Sequence, residues 1–91
     1  MAIEVRVPTI LRGHTGGEKA VDGKGDTLDG LFEDLESRYP GLRARLVGED
    51  GTLNRFVNVY LNDEDVRFLG GLKTPVSDGD QVTILPAVAG G

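Results

Sequence analysis

Cysteine is absent from the 91 residues of this chain. Its absence excludes a disulfide scaffold, a thiolate metal site and a cysteine nucleophile. Long apolar runs are also missing, and none approaches the ~20 residues that span a bilayer. The first residues, MAIEVRVPTI, lack the basic segment and apolar core of a secretory signal, so we expect a cytoplasmic protein.

Basic charge is scarce. The chain has 10 Lys and Arg residues against 15 Asp and Glu residues, and its formal net charge is -5. Nucleic acids and anionic membranes are both bound through clustered cationic side chains, so neither is expected as a partner. An overall acidic chain suits a basic protein partner instead. The hydrophobic fraction of 38% is ordinary for a globular protein, and the length predicts one domain with one core.

Alternating apolar and polar residues, or β-branched and aromatic ones, predict strands. The predicted strands cover residues 3–7, 18–22, 55–62, 64–68 and 81–85. Between the second and third strands, four apolar residues follow at helical spacing: Leu28, Leu31, Phe32 and Leu35. Either Asp26 or Thr27 can cap this helix, and Tyr39-Pro40-Gly41 ends it. The conformation of residues 41–53 is left open.

The element order predicts an α+β fold of the β-grasp (ubiquitin-like) type. One main helix packs on one face of a small mixed sheet, and a flexible C-terminal tail follows. Residues 1–85 form the domain and residues 86–91 the tail. A ferredoxin-like sandwich is the alternative, but a second full helix is missing. The expected core is formed by the helix residues together with Ile3, Val5, Val7, Val57, Val59, Val82 and Ile84.

Candidate chemical motifs in the domain have structural explanations. The glycine-rich stretch RGHTGGEK lacks the Walker spacing and is interpreted as a hairpin loop. His14 is the single histidine and has no recognisable partner, so it is interpreted as an exposed loop residue. Asp22, Lys24 and Asp26 have calcium-loop spacing, but a lysine occupies a ligand position. We therefore expect no catalytic residue, no metal site, no bound cofactor and no enzymatic activity.

One face of the sheet predicts a partner surface. If Val57, Val59 and Leu61 face the helix, the strand period sends Phe56, Asn58 and Tyr60 to the opposite face. Leu85 joins them if Val82 and Ile84 point inward. Exposed apolar side chains on an open sheet face are typical of a binding surface. Loops that cover these side chains are the alternative interpretation.

The C-terminus is the other unusual feature. Pro86 is expected to stop sheet pairing. Ala87, Val88 and Ala89 are small or β-branched, and Gly90-Gly91 leaves no Cβ near the terminal carboxylate. Such a segment can thread a narrow tunnel, although a frayed terminus has the same composition. Gly-Gly alone does not decide between them.

Several stretches resemble the prokaryotic sulfur carriers of the ThiS/MoaD family, most closely the CysO branch that serves cysteine synthesis. They are PTILR, HTGG, GDTL, RFVNVYLNDEDVRF and DGDQVTILPAVAGG, which together extend over nearly the whole chain. The diglycine end is shared by the superfamily, whereas NDEDVRF and ILPAVAGG are more specific. Residues 41–53 match poorly.

The resemblance implies that an E1-like adenylating enzyme activates the Gly91 carboxylate and that sulfur then converts it to a thiocarboxylate. In the CysO branch, this group enters a PLP-dependent cysteine synthase, and a zinc metallopeptidase releases the cysteine. Gly90, Ala89 and Val88 belong to the tail, and Phe56, Tyr60 and Leu85 are expected to dock the adenylating enzyme.

Other functions stay open. They are sulfur transfer for molybdopterin or thiamine synthesis, a modifier that joins Gly91 to lysines, and a plain interaction domain. The immediate sulfur donor and the oligomeric state are not determined by the sequence.

Overall fold

The computed structural model describes residues 2–87. Within them the strands are β1 (Ile3–Arg6), β2 (Ala20–Gly23), β3 (Val57–Leu61), β4 (Glu64–Asp65) and β5 (Gln81–Pro86). The helices are α1 (Leu28–Arg38) and α2 (Leu42–Leu46). Short 3-10 helices cover Thr9–His14, Val66–Phe68 and Gly71–Lys73.

The strands form one mixed sheet in the order β2-β1-β5-β3-β4. β5 is its central strand, parallel to β1 and antiparallel to β3. The β1–β2 pair is antiparallel, as a hairpin requires. One long helix on a mixed sheet with this order is the β-grasp fold, so the predicted fold class is confirmed.

The core lies between α1 and one face of the sheet. All four predicted helix residues are fully buried, and the seven predicted strand residues are buried too. Thr27 is the cap of α1, because its Oγ1 accepts a hydrogen bond from the Gly30 N–H at 3.2 Å. The helix then places its apolar side chains on one stripe, and the alternation of each strand supplies the opposing face.

The segment left open in the sequence contains α2. The Glu36 carboxylate of α1 accepts hydrogen bonds from the N–H groups of Gly41 and Arg43, both at 2.9 Å. Gly41 has a φ of 94°, which permits the sharp reversal between the helices. Leu42 and Leu46 of α2 are buried and extend the core.

The fourth strand is much shorter than predicted. It ends at Asp65, and residues 66–68 form a 3-10 turn instead of strand. The Asp65 carboxylate accepts a hydrogen bond from the Arg67 N–H at 2.9 Å, which satisfies the start of that turn. A local side-chain bond therefore replaces sheet pairing here.

The prediction that Pro86 stops sheet pairing is wrong. Pro86 is the last residue of β5 and lies opposite Val57, and the Ala87 N–H donates to the Phe56 carbonyl at 2.9 Å. Proline is tolerated because ladder bonds alternate along an antiparallel pair, so no donor is needed at Pro86. The separation of residues 86–91 as a tail stays a prediction.

Candidate functional site

The end of β5 lies beside the start of β3. Their register places Leu85 opposite Asn58 and Pro86 opposite Val57. The Ala87–Phe56 backbone bond extends the pairing to the last described residue. The predicted site residues Val88, Ala89, Gly90 and Gly91 lie outside the described residues.

The start of β3 is held by Arg67. Its guanidinium donates to the carbonyl oxygens of Val57 at 2.7 Å and Asn54 at 3.1 Å, and to the Asn58 side chain at 2.8 Å. Because β4 pairs only with Tyr60 and Leu61, the first half of β3 has an open edge. Arg67 supplies donors there in place of a neighbouring strand.

Phe56 is exposed, with 61% of its surface accessible. It lies in the turn before β3, so the strand alternation that assigned it to the open face does not govern its side chain. Phe56 instead lines a hollow of about 310 Å³ with Ile10, His14 and Arg45, here called the Phe56 hollow. The Arg55 guanidinium lies 5.1 Å from the centroid of its ring.

Leu85 and Tyr60 are on the open face of the sheet, as predicted. Leu85 is exposed at 45%, whereas Tyr60 is half-buried and lies opposite Thr83. Leu85 lines a second hollow, of about 520 Å³, with Arg6, Arg12 and Lys19. We call it the β1 groove. Phe56 and Leu85 thus line different hollows, both next to the end of β5.

His14 is half-buried rather than exposed as predicted. It ends the Thr9–His14 turn, and a Cβ at Gly41 would lie only 3.3 Å from two of its ring atoms. The packing of this turn against the α1–α2 connection accounts for the burial. Glu36, in the last turns of α1 before this connection, has its pKa lowered, first by the hydrogen bond from the Gly41 N–H and then by the one from the Arg43 N–H.

Ligand and membrane sites can be assessed only within residues 2–87. There, no three His, Asp or Glu side chains converge as a metal site would require. No helix in that range combines the length and hydropathy that crossing a bilayer needs.

Sequence reasoning missed three residues of this region. Ile10 is exposed at 67% and lines the Phe56 hollow. Arg12 donates from Nε to the Val7 carbonyl at 3.1 Å and lines the β1 groove. Arg67 lay inside the quoted NDEDVRF stretch, but no local pattern signals hydrogen bonds to residues 54–58.

Two known proteins are similar to this chain over its whole length. The sulfur carrier protein CysO of Mycobacterium tuberculosis is 59% identical over 93 residues, covering all of both chains. Small archaeal modifier protein 3 of Haloferax volcanii is 37% identical over 94 residues, again covering all of both. These names denote a carrier and a modifier, which agrees with the prediction that the chain is not an enzyme.

A solved structure supports the same relationship. The CysO chain in a BexX/CysO complex from Amycolatopsis orientalis superposes with a TM-score of 0.92 at 62% identity, covering 99% of this chain and 100% of that one. The family model described as ThiS matches residues 5–91. The resemblance stated from the sequence is confirmed, and the chain belongs to the ThiS family.

Proposed function

We propose that this protein is a sulfur carrier whose Gly91 carboxylate is adenylated and converted to a thiocarboxylate. The observation that carries the proposal is the Gly90-Gly91 terminus, three residues beyond the end of β5, in a chain 59% identical along its length to a CysO sulfur carrier. The domain supplies the handle for the sulfur, and partner enzymes supply the catalysis.

Activation is needed because a carboxylate is a poor electrophile. With a pKa of ~3.5, the terminal group is anionic at neutral pH. Attack by a carboxylate oxygen on the α-phosphorus of ATP forms an acyl-adenylate and releases pyrophosphate. Hydrosulfide then attacks the acyl carbon and AMP leaves, which gives the thiocarboxylate. If the donor is a persulfide, an acyl disulfide forms first and a thiol has to reduce it.

The position of β5 suits such a handle. β5 is the central strand of the sheet, and its end stays paired with β3, because Pro86 lies opposite Val57 and the Ala87 N–H bonds to the Phe56 carbonyl. Four residues follow Ala87 in the sequence. Even fully extended, they span at most about 14 Å. The E1-like enzyme must therefore contact the domain close to the end of β5, where Phe56, Tyr60 and Leu85 are our proposed contacts.

Cysteine synthesis is the proposed use of the sulfur. The thiocarboxylate sulfur adds to an aminoacrylate in a PLP-dependent cysteine synthase and forms a thioester with the new cysteine. The cysteine amine then attacks the acyl carbon, and the amide replaces the thioester because the two groups are held in one molecule. Hydrolysis of that amide by a zinc metallopeptidase releases cysteine and restores Gly91.

Mass spectrometry of the intact protein from its native cells tests the proposal. We expect the mass increase of one sulfur replacing one oxygen, localised to the C-terminal fragment. Localisation matters because oxidation of Met1 adds nearly the same mass at the other end. A chain lacking Gly91 is expected to show no increase. A wild-type C-terminal fragment without sulfur, from cells starved of cysteine, would contradict the proposal.

Protein modification is a second candidate function, favoured by the 37% identity to a small archaeal modifier protein. Protein modification and sulfur transfer share the adenylation step, but in modification a lysine amine of a target protein then attacks the acyl carbon. Incubating the thiocarboxylated protein with candidate synthases separates the two. A cysteinyl adduct at Gly91 supports cysteine synthesis, whereas isopeptide-linked products in the native cells, without that adduct, support modification.

A further inference from the structure

Cationic side chains are concentrated around the end of β5, against the overall charge of the chain. The β1 groove and the Phe56 hollow are lined by Arg6, Arg12, Lys19 and Arg45, with Glu4 as the single carboxylate. The whole chain has 15 acidic residues and 10 basic ones. The local charge is therefore opposite in sign to the net charge of -5.

Three of these four cations have no compensating carboxylate in the described part of the chain. Glu4 lies 3.5 Å from Arg6 Nε and also accepts a hydrogen bond from the Gln81 side chain at 3.0 Å. Within residues 2–87, no carboxylate lies within salt-bridge distance of Arg12, Lys19 or Arg45. Cations without a partner carboxylate in their own chain can pair with carboxylates of another molecule.

Exposed apolar side chains line the same two hollows as these cations. Ile10, Phe56 and Leu85 are exposed at 67%, 61% and 45% respectively. An apolar centre with a charged rim is the usual composition of a protein interface. It is not the composition expected for nucleic-acid binding, which relies on a larger basic surface than this acidic chain offers.

We propose that the exit surface, which combines Ile10, Phe56 and Leu85 with Arg12, Lys19 and Arg45, docks onto a protein surface that has apolar side chains and carboxylates. The proposal rests on the proposed function for one point, that the partner is the adenylating enzyme which receives the C-terminus. The partner surface proposed here is acidic, whereas the net charge of the whole chain suggested a basic partner. Ionic screening is the reason, because charges more than about 8 Å from a contact have little effect at physiological salt.

The span of the terminal residues places a limit on that partner. Since the four residues after Ala87 reach at most about 14 Å, the partner's carboxylates lie close to the entrance to the adenylation centre. Opposite charges at such an entrance speed association and orient the chain before the C-terminus is inserted.

A pair of charge-reversal variants tests the surface. The test variant is Lys19→Glu with Arg45→Glu, because both side chains are exposed on the exit surface. The control is Lys24→Glu with Lys73→Glu, which makes the same change in net charge at exposed positions outside both hollows. Equal thermal unfolding midpoints would establish that both variants keep the fold.

Association with the E1-like adenylating enzyme of the same cells is followed by stopped-flow fluorescence at low and high salt. We expect the test variant to associate about tenfold more slowly than wild type at low salt, and the control to stay within about twofold. Added salt should remove the difference. Equal rates for both variants would overturn the proposal, as would displacement of the enzyme by a short single-stranded oligonucleotide at physiological salt.

A second readout keeps this proposal separate from the proposed function. Adenylation is measured by pyrophosphate exchange at saturating carrier concentration, where slow association no longer limits the rate. If wild type is adenylated but both variants associate alike, the docking proposal fails and the carrier function stands. If wild type binds with the expected charge dependence and is never adenylated, the docking surface stands and the carrier function fails.

Discussion

At the scale of single residues, close packing against α1 determines which small residues are required. A Cβ added to Gly25 would lie 2.5 Å from the Leu31 backbone nitrogen and 2.8 Å from the Gly30 carbonyl carbon. We expect Gly25→Ala to lower the free energy of unfolding by about 1–3 kcal/mol, because backbone atoms of the helix have to move. Urea denaturation measures the change.

Gly13→Ala is the matched control for this prediction. A Cβ at Gly13 meets no atom within 4 Å, so the same substitution is expected to leave stability nearly unchanged. Equal stability of the Gly25 variant and wild type would contradict the prediction, because it would show that the loop before α1 can shift without lowering the free energy of unfolding.

A second residue-scale prediction concerns acid. Hydrogen bonds from Gly41 and Arg43 lower the pKa of Glu36 below the reference value of 4.5. The charged form is therefore stabilised by folding, and its contribution is present above the unfolded pKa and lost as the pH falls through the lower folded pKa. We expect Glu36→Gln to be less stable than wild type at pH 7, with the difference disappearing on acidification.

Urea midpoints measured stepwise from pH 7 to about pH 3 follow this difference. Glu33→Gln is the control, because Glu33 is exposed on the same helix and accepts no hydrogen bond within residues 2–87. A stability gap for Glu36→Gln that stays constant over the pH range would contradict the assignment.

At the scale of elements, the open edge of β3 depends on Arg67. Replacing Arg67 by Met keeps the aliphatic stem and removes three hydrogen bonds to Asn54, Val57 and Asn58. We expect a loss of about 1–3 kcal/mol, since these bonds have a charged donor. Amide hydrogen exchange is expected to quicken at residues 54–58 and at Ala87, which is bonded to Phe56.

Arg38→Met is the control for this element, because it removes an exposed ion pair with Asp34 on α1, far from β3 in the fold. It should cost less than about 1 kcal/mol. If exchange at Ala87 is unchanged in Arg67→Met, the start of β3 is held by its pairing with β5 alone.

At the scale of the whole molecule, we predict that the folding unit is complete before the C-terminus. In the part of the chain that the structure describes, every core residue lies between Ile3 and Ile84. We expect a chain ending at Ala87 to match the full chain within about 0.5 kcal/mol in free energy of unfolding. A chain ending at Asp80 should not fold, because it lacks the strand that joins β1 to β3.

Calorimetry of the three chains measures this directly. A loss above about 1 kcal/mol on removing residues 88–91 would mean that they pack on the domain. The division into a domain and a tail would then need revision.

The sequence by itself determined the features that depend on neighbouring residues. Leu28, Leu31, Phe32 and Leu35 repeat with the helix period, so the buried stripe of α1 follows from spacing alone. Alternation likewise identified the buried faces of β1, β3 and β5. The diglycine terminus and its reactive carboxylate are properties of the covalent chain and need no fold.

Only the tertiary structure decided what depends on residues far apart in the chain. Arg67 and Asn54 are 13 positions apart, and their contact exists because β4 ends early. Arg12 and Arg45 come to the end of β5 from a 3-10 turn and from α2. Periodicity carries information over a few residues, whereas packing sets which surfaces meet, so a cationic surface on an acidic chain becomes visible only after folding.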